Sequence, residues 1–412
     1  MKPKLITTLA DYSGDLFLAD LFAGVTVALV AMPLSLAIAI ASGAAPAVGL
    51  VTAMIGGLLI SALGGSRVQI GGPTGAFIVV VYGVIAHHGY SGLILATAMA
   101  GIILMVGALF RAGQLIRHIP EAVIEGFTVG IAVIIGLSQF KDLFGQTIPK
   151  LPAEFLPKIE ALWWARSTVS LPALGIGLAA ILLIILFRWA APKLPGLILA
   201  LALTSAPATI FHLPVDTIAS RYGDLPRGLP LPHLPAFDLH QVQALLPSAL
   251  VIAFLAGIES LLSAVVADRM IGGAHRPNAE LMAQGMANFA SALFGGLPAT
   301  GAIARTATNV RAGGRTPVAG IIHAMVILLI LLIAAPLAGY LAMPALAGLL
   351  LVTAWNMSEP HRWRDRLSAD LPDQTVFVLT LILTVLADLT IAIAVGTGLG
   401  LALRHFRSTK AS

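Results

Sequence analysis

The sequence predicts an all-α polytopic membrane protein whose fourteen crossing segments form two inverted repeats of seven, and three observations carry that prediction. Of the 412 residues, 58% are apolar and only 10% are charged. Soluble domains carry about 25% charged residues, so this chain lacks the ionised groups to cover a water-facing surface and belongs in a bilayer. Apolar windows long enough to cross one recur from end to end. Two short Gly/Pro-interrupted motifs then stand at matching places in the two halves, as inverted repeats require. The 41 Gly and 25 Pro suit close helix packing and broken helices. With no Cys there are no disulfides, thiolate metal sites or thiol nucleophiles, and no cofactor is expected.

In chain order, the first seven windows fall at about 20–42, 47–63, 73–87, 91–110, 119–140, 170–190 and 195–212. Asp11, Asp15 and Asp20 precede a run that continues to a full crossing, so the first segment is retained rather than cleaved as a signal. The third opens Gly71-Gly72-Pro73-Thr74-Gly75-Ala76, and His87 and His88 follow it in an outer loop. Glu121 and Glu125 lie near the start of the fifth, Glu121 at the interface and Glu125 undecided. Trp163 and Trp164 read as interfacial or packing aromatics. Between the halves, 213–243 holds Pro214, Pro226, Pro230, Pro232 and Pro235 and reads as a linker. The second seven windows fall at about 244–267, 278–294, 299–310, 317–341, 344–357, 372–387 and 389–404. The tenth opens Gly295-Gly296-Leu297-Pro298-Ala299-Thr300-Gly301-Ala302, and Asp388 marks a turn between the last two.

On this topology seventeen of the 24 basic residues fall on the side of the termini and six on the other, with Arg305 inside a segment. The positive-inside rule therefore puts both termini in the cytoplasm, and the net charge of +5 follows the membrane rather than a nucleic acid. The organisation expected is a cytoplasmic N-terminus (1–19), a first repeat (20–212), the Pro-rich linker (213–243), a second repeat (244–405) and a short cytoplasmic tail (406–412).

Paired interruptions point to a midplane site, because half-helices that begin inside the bilayer aim free N–H groups and positive dipole ends at one place. The other reading is kinks that serve packing. Arg305 follows the second motif; it either gives that site an anion-selecting guanidinium or reaches back to the membrane surface. Glu259 is the clearest acid within a segment, and Ser263, four residues on, shares its helix face. There the hydroxyl can share a hydrogen-bonded site with the carboxyl, and burial suits Glu259 to carry a proton; the other reading is a permanently protonated or paired structural acid. His87 and His88 lack a His-x3-His partner, so no metal site is expected, and no Gly-Lys-Ser/Thr loop marks an ATP motor.

Gly24-Val25-Thr26 with Met32-Pro33-Leu34-Ser35-Leu36-Ala37, Ile70-Gly71-Gly72-Pro73-Thr74-Gly75, Glu125-Gly126-Phe127-Thr128, Gly257-Ile258-Glu259-Ser260-Leu261-Leu262-Ser263, Asn309-Val310-Arg311-Ala312-Gly313-Gly314 and Trp355-Asn356-Met357-Ser358 together resemble the membrane domain of the sulfate permease (SulP) family of anion transporters. The resemblance runs over about residues 14–405, and 258–358 is most similar to bacterial members that carry C4-dicarboxylates with protons. It implies segments 1–4 and 8–11 as a mobile core, 5–7 and 12–14 as a gate, and half-helices 3 and 10 around the anion. By motif it assigns Thr74, Gly75, Ala76, Gly301 and Ala302 to the anion contact, Leu34 and Ile38 to an apolar wall, Arg305 to the basic residue, and Glu259 with Ser263 to coupling. Sodium-coupled bicarbonate members have Asp and Thr in these last two places, so Glu and Ser favour protons. Members usually continue into a cytosolic STAS domain, whereas this sequence stops about eight residues after its last segment.

The function expected is thus secondary active transport across a bacterial inner membrane, a C4-dicarboxylate such as fumarate entering with protons by alternating access. Sulfate or bicarbonate is the alternative cargo. An anion channel or exchanger, or a nucleobase symporter with paired carboxylates in place of Arg305, are the other readings. No nucleophile and base constellation indicates an enzyme. The expected partners are a small inorganic or organic anion, protons before sodium, the lipid bilayer and a second copy in a homodimer, with no nucleic acid.

Overall fold

The structure, a computed structural model, describes residues 2–410 apart from 115–119, 150, 192–193, 236–237 and 388. Asp388 and three of the basic residues, Arg117, Lys150 and Lys193, therefore lie outside the described residues.

Every predicted window holds a helix. In the first half lie α1 (Gly14–Ala41), α2 (Pro46–Leu63), a continuous stretch Phe77–Leu109 that breaks at Gly89 into α3 (77–88) and α4 (90–109), α5 (Glu121–Leu143), α6 (Leu171–Ala190) and α7 (Gly196–Ile210). The second half holds α8 (Leu239–Ile271), α9 (Pro277–Leu293), α10 (Ile303–Arg311), α11 (Val318–Ala338), α12 (Met343–Met357), α13 (Leu371–Leu386) and α14 (Leu389–Lys410). Local chemistry sets several ends. The hydroxyl of Ser13 caps α1 by accepting from the Leu16 amide. Prolines occupy the first turns of α2, α6, α9, α12 and α13, where a missing N–H leaves no hydrogen bond unmade. In α11 a π turn over Ile330–Ala334 precedes Pro336, whose ring and missing donor disturb the regular ladder.

The expected loop at 87–90 is corrected. His87 and His88 complete the last turn of α3, and the break is confined to Gly89, whose φ of 70° and ψ of 179° a side-chain-bearing residue resists. The linker also holds more order than its prolines announce, with a one-turn helix Ile218–Tyr222 entered through a Thr217/Ser220 capping box. A further helix, Phe155–Trp164, lies between α5 and α6. Trp163 and Trp164 are exposed upon it, as interfacial aromatics would be.

Two bodies emerge from the packing. In one, α1 and α2 pack on α11, α2 and α4 on α9, and the α3–α4 stretch on α8. In the other, α5 packs on α12 and α13, α6 on α12, and α13 on α14. These are the core and gate. Backbones approach closely within each: a Cβ on Gly101 of α4 would lie 2.7 Å from the carbonyl of Gly285 in α9, and one on Gly348 of α12 would lie 2.8 Å from that of Gly177 in α6. At the centre of the core the two interrupted motifs meet as strands, β1 (Gly71–Gly72) and β2 (Thr300–Gly301), paired antiparallel with Gly71 opposite Gly301 and Gly72 opposite Thr300.

Candidate functional site

Antiparallel pairing decides how the half-helices are aimed. α3 follows β1 and α10 follows β2, so the two helices leave the crossing in opposite directions with their N-termini brought together. First-turn N–H groups of a helix have no partner within it, so two positive helix ends converge where the chain crosses itself. The crossing is tied to its surroundings by side chains from both repeats. The Ala302 amide donates to the Ile70 carbonyl (2.9 Å), the Ile70 amide to Thr306 Oγ1 (3.1 Å), Thr300 Oγ1 to the Ala256 carbonyl (2.9 Å), and Asn309 Nδ2 to the Val68 carbonyl (2.8 Å).

Arg305, in the first turn of α10, is 2% exposed, which rules out the reach back to the surface. Its Nη2 donates to Ser35 Oγ of α1 (3.1 Å) and to the Pro73 carbonyl (3.0 Å). Its Nε and Nη1 have no protein acceptor. Among the described residues no carboxylate pairs with it. A buried guanidinium that still has donors to offer, beside two helix N-termini, is a site for negative charge. Gly72 makes room for it: a Cβ there would stand 2.2 Å from Nη1, and its φ of 149° suits glycine.

Glu259, half-buried on α8, accepts from Thr74 Oγ1 at 2.7 Å. Pro73 and Thr74 thus stand between the two charged groups, Arg305 on the Pro73 carbonyl and Glu259 on the Thr74 hydroxyl. Ser263 departs from expectation. Its hydroxyl shares a hydrogen bond with Thr306 (3.2 Å), so the hydroxyl on the carboxylate comes from the third segment and not from the next turn of α8. Spacing of four puts two side chains on one face, and here that face meets α10 as well as α3.

The other expected contacts divide. Ala76 and Ala302 are the buried residues that lead into α3 and α10. Ile38 is buried and Leu34 half-buried on α1, on either side of Ser35, the Arg305 partner. Gly75 faces the gate, where a Cβ would meet Met357 Sδ of α12 at 2.8 Å and Ile135 of α5 at 3.7 Å. Gly301 faces inward: a Cβ would fall 1.5 Å from Gln69 Nε2, so that side of it packs on protein and not on open space.

Sequence reasoning passed over the support beneath the crossing. Gln69 Nε2 donates to Ser260 Oγ (2.8 Å), and Ser260 Oγ donates to Glu280 Oε1 (2.9 Å). Glu280, fully buried, also accepts from Gln284 Nε2 (2.9 Å) and from the amides of Gly65 (2.8 Å) and Ser66 (3.2 Å). Four donors satisfy a carboxylate that has no other work, whereas Glu259 has Thr74. His323 of α11, fully buried with neither ring nitrogen hydrogen-bonded in the protein, was also passed over.

The sulfate permease family matches residues 17–380 of the chain. The chain is 42% identical over 381 residues to YvdB of Bacillus subtilis (strain 168), a candidate sulfate transporter, the match covering 92% of this chain and 72% of that protein. It is 34% identical over 386 residues to the bicarbonate transporter BicA of Synechocystis sp., covering 90% and 67%. The solved transmembrane domain of a cyanobacterial BicA superposes with a TM-score of 0.84 at 32% identity, covering 93% of this chain and 98% of that one. The murine Solute Carrier 26 family member A9 anion transporter in its inward-facing state gives 0.88 at 18% identity, covering 98% and 71%, a likeness of fold alone. These findings overturn the expectation of a C4-dicarboxylate such as fumarate as cargo: the relatives at 42% and 34% identity are described by sulfate and by bicarbonate.

Proposed function

Because the chain belongs to the sulfate permease family, we propose that it moves a small oxyanion of the sulfate or bicarbonate type by secondary active transport, as a multi-pass protein of a bacterial inner membrane with both termini in the cytoplasm. The observation that carries the reading is Arg305, buried at the junction of two helix N-termini with donors unspent and no carboxylate beside it among the described residues. An oxyanion accepts from several donors at once, and the unspent Nε and Nη1 of Arg305, beside the positive ends of two helices, supply them. Arg305 Nη2 holds the Pro73 carbonyl, so the charge rides with the crossing when the core moves. Gly75 against Met357 and Ile135 is where the crossing meets the gate, and sliding of core past gate exchanges that cover for access.

Glu259 is the coupling group in this reading. A bound anion and an ionised Glu259 repel one another across Thr74, so anion binding and proton binding assist each other, and the assistance is reciprocal. A loaded core with Glu259 protonated carries less unpaired charge past the apolar wall of Leu34 and Ile38. The test is uptake of sulfate, then of bicarbonate, by purified protein in liposomes under an inward acid gradient. Wild type concentrates one of them; Glu259→Gln, which mimics the protonated acid, retains one-for-one exchange and loses accumulation. A Gln variant that concentrates as well as wild type would send the proton elsewhere, and a wild type that only equilibrates under proton and sodium gradients alike, with no counter-anion exchange, would replace secondary active transport with a channel.

A further inference from the structure

A cavity of about 630 Å³ lies between core and gate at the face opposite the chain termini. Its walls come from the ends of α1, α3 and α8 on the core side, from α5 and α13 on the gate side, and from the helices Phe155–Trp164 and Ile218–Tyr222. None of Thr74, Glu259 and Arg305 lines it. Lys158 does, and its side chain belongs to the buried population at 3% exposure. Its Nζ donates to Ser138 Oγ of α5 at 3.0 Å and lies 5.8 Å over the Tyr82 ring of α3. An ammonium has three N–H donors, and one hydroxyl leaves two without a strong acceptor. Lys141, in the last turn of α5, lines the same cavity. Arg221 there pairs with both Asp142 (2.7 Å) and Asp216 (2.8 Å), while neither lysine makes an ion pair of its own among the described residues.

We infer that this cavity is a second anion site, an outer vestibule in which Lys158, with Lys141, holds a small oxyanion before it reaches the crossing. Its place on the route rests on the transport reading above; the binding itself does not. The buried Lys158 ammonium, with two N–H donors unspent, puts a local positive charge on the cavity wall, and the low-dielectric surroundings strengthen its pull on an entering anion. Tyr82 rides on the core and Lys158 and Ser138 on the gate, so the vestibule is assembled where the two bodies meet.

The occupancy carries a pH signature. Burial brings the Lys158 ammonium down to about 8, so it is charged below that value and neutral above it. The other titratable groups facing the cavity are Tyr82, His87 and His88 of α3, Lys141 and Asp142 of α5, Glu154 before the helix that bears Lys158, and Arg221 and Tyr222 of the linker helix. α1, α8 and α13 bring none among the described residues. Occupancy that depends on the Lys158 charge therefore falls between about pH 7 and 9.

Calorimetric titration of purified Arg305→Ala protein with sulfate, and separately with bicarbonate, isolates the vestibule from the crossing. A residual site is expected that fades as pH rises through 8. Adding Lys158→Met should weaken it by about ten-fold or more, the loss of about 1.4 kcal/mol, and adding Lys158→Arg should keep it and carry it above pH 9. In oriented liposomes, Lys158→Met alone should raise the half-saturating sulfate concentration about ten-fold from the face opposite the termini and leave the other face unchanged. No residual binding of either anion, residual binding indifferent to Lys158→Met, or half-saturation rising equally at both faces would overturn the vestibule. Residual binding in a protein whose wild type moves neither anion would leave the vestibule standing and reject the transport reading instead.

Discussion

Arg305 and Glu280 show how differently two buried charges are used within one core. The carboxylate of Glu280 is saturated by the amides of Gly65 and Ser66, the Ser260 hydroxyl and the Gln284 amide, and so it fastens α9 to the turn after α2. Glu280→Gln would turn an amide N–H against donors already placed, stranding at least one of them, at a cost of about 1–3 kcal/mol. The expected result is a lower melting temperature in detergent together with weakened anion binding, since Ser260 supports Gln69 and Gln69 packs on Gly301. An unchanged melting temperature would show that the network bears no load. Arg305 instead keeps donors free, and its fork reaches Ser35 and Pro73 together. Arg305→Lys preserves charge and loses the fork, so anion affinity should fall about ten-fold in folded protein, measured by titration. Arg305 and Glu259 were legible in the sequence because a charge in an apolar window stands out. The Thr74 partner of Glu259 was not, because a single sequence displays the neighbour four residues away, Ser263, and not one 185 residues away. Glu280 escaped notice for a related reason: it sits in the first turn of α9, and its partners Gly65, Ser66 and Ser260 are distant in the sequence.

At the scale of elements, all fourteen windows were readable from apolar run length, and so was the correspondence of the two interrupted motifs, which the β1–β2 pairing turns into one crossing. What run length does not reveal is a short amphipathic helix such as Phe155–Trp164, which has too few apolar residues to register as a crossing. Nor does it separate a loop from a one-residue break, as at Gly89 between α3 and α4. That break makes a clean test of backbone strain, since no atom lies within 4 Å of where a Cβ on Gly89 would stand. Gly89→Ala should destabilise the protein by about 1–3 kcal/mol through its φ of 70° and ψ of 179° alone. Gly83→Ala, six residues earlier in α3 and equally free of neighbours, should be neutral or stabilising by up to about 1 kcal/mol. Equal melting temperatures for the two variants would place the break elsewhere.

The whole molecule is two bodies in a sheath of exposed apolar side chains. The outer face of α6, with Leu178, Leu182, Ile185, Leu186 and Trp189 exposed, is an apolar surface of the kind a bilayer covers. The bodies touch through few polar contacts, and one of them joins the Tyr82 hydroxyl of α3 to the Leu151 carbonyl at 2.5 Å on the face opposite the termini. If transport requires core to slide past gate, bridging Tyr82→Cys and Leu151→Cys with a short thiol crosslinker should abolish flux, and cleaving the bridge should restore it. The chain has no Cys of its own, so the crosslink is free of background. Undiminished flux through the bridged protein would refute relative motion at that face. The midplane site is the centre of the account, and its most direct test is equilibrium binding of sulfate and of bicarbonate to purified wild type and Arg305→Ala across a range of salt. Wild type should bind one of them with an affinity that falls as salt rises, and the variant, folded by its melting curve, should lose the crossing site, at least about ten-fold in affinity, with most of the salt dependence. Wild-type affinity and wild-type salt dependence in the folded variant would contradict an anion held where the two half-helices meet.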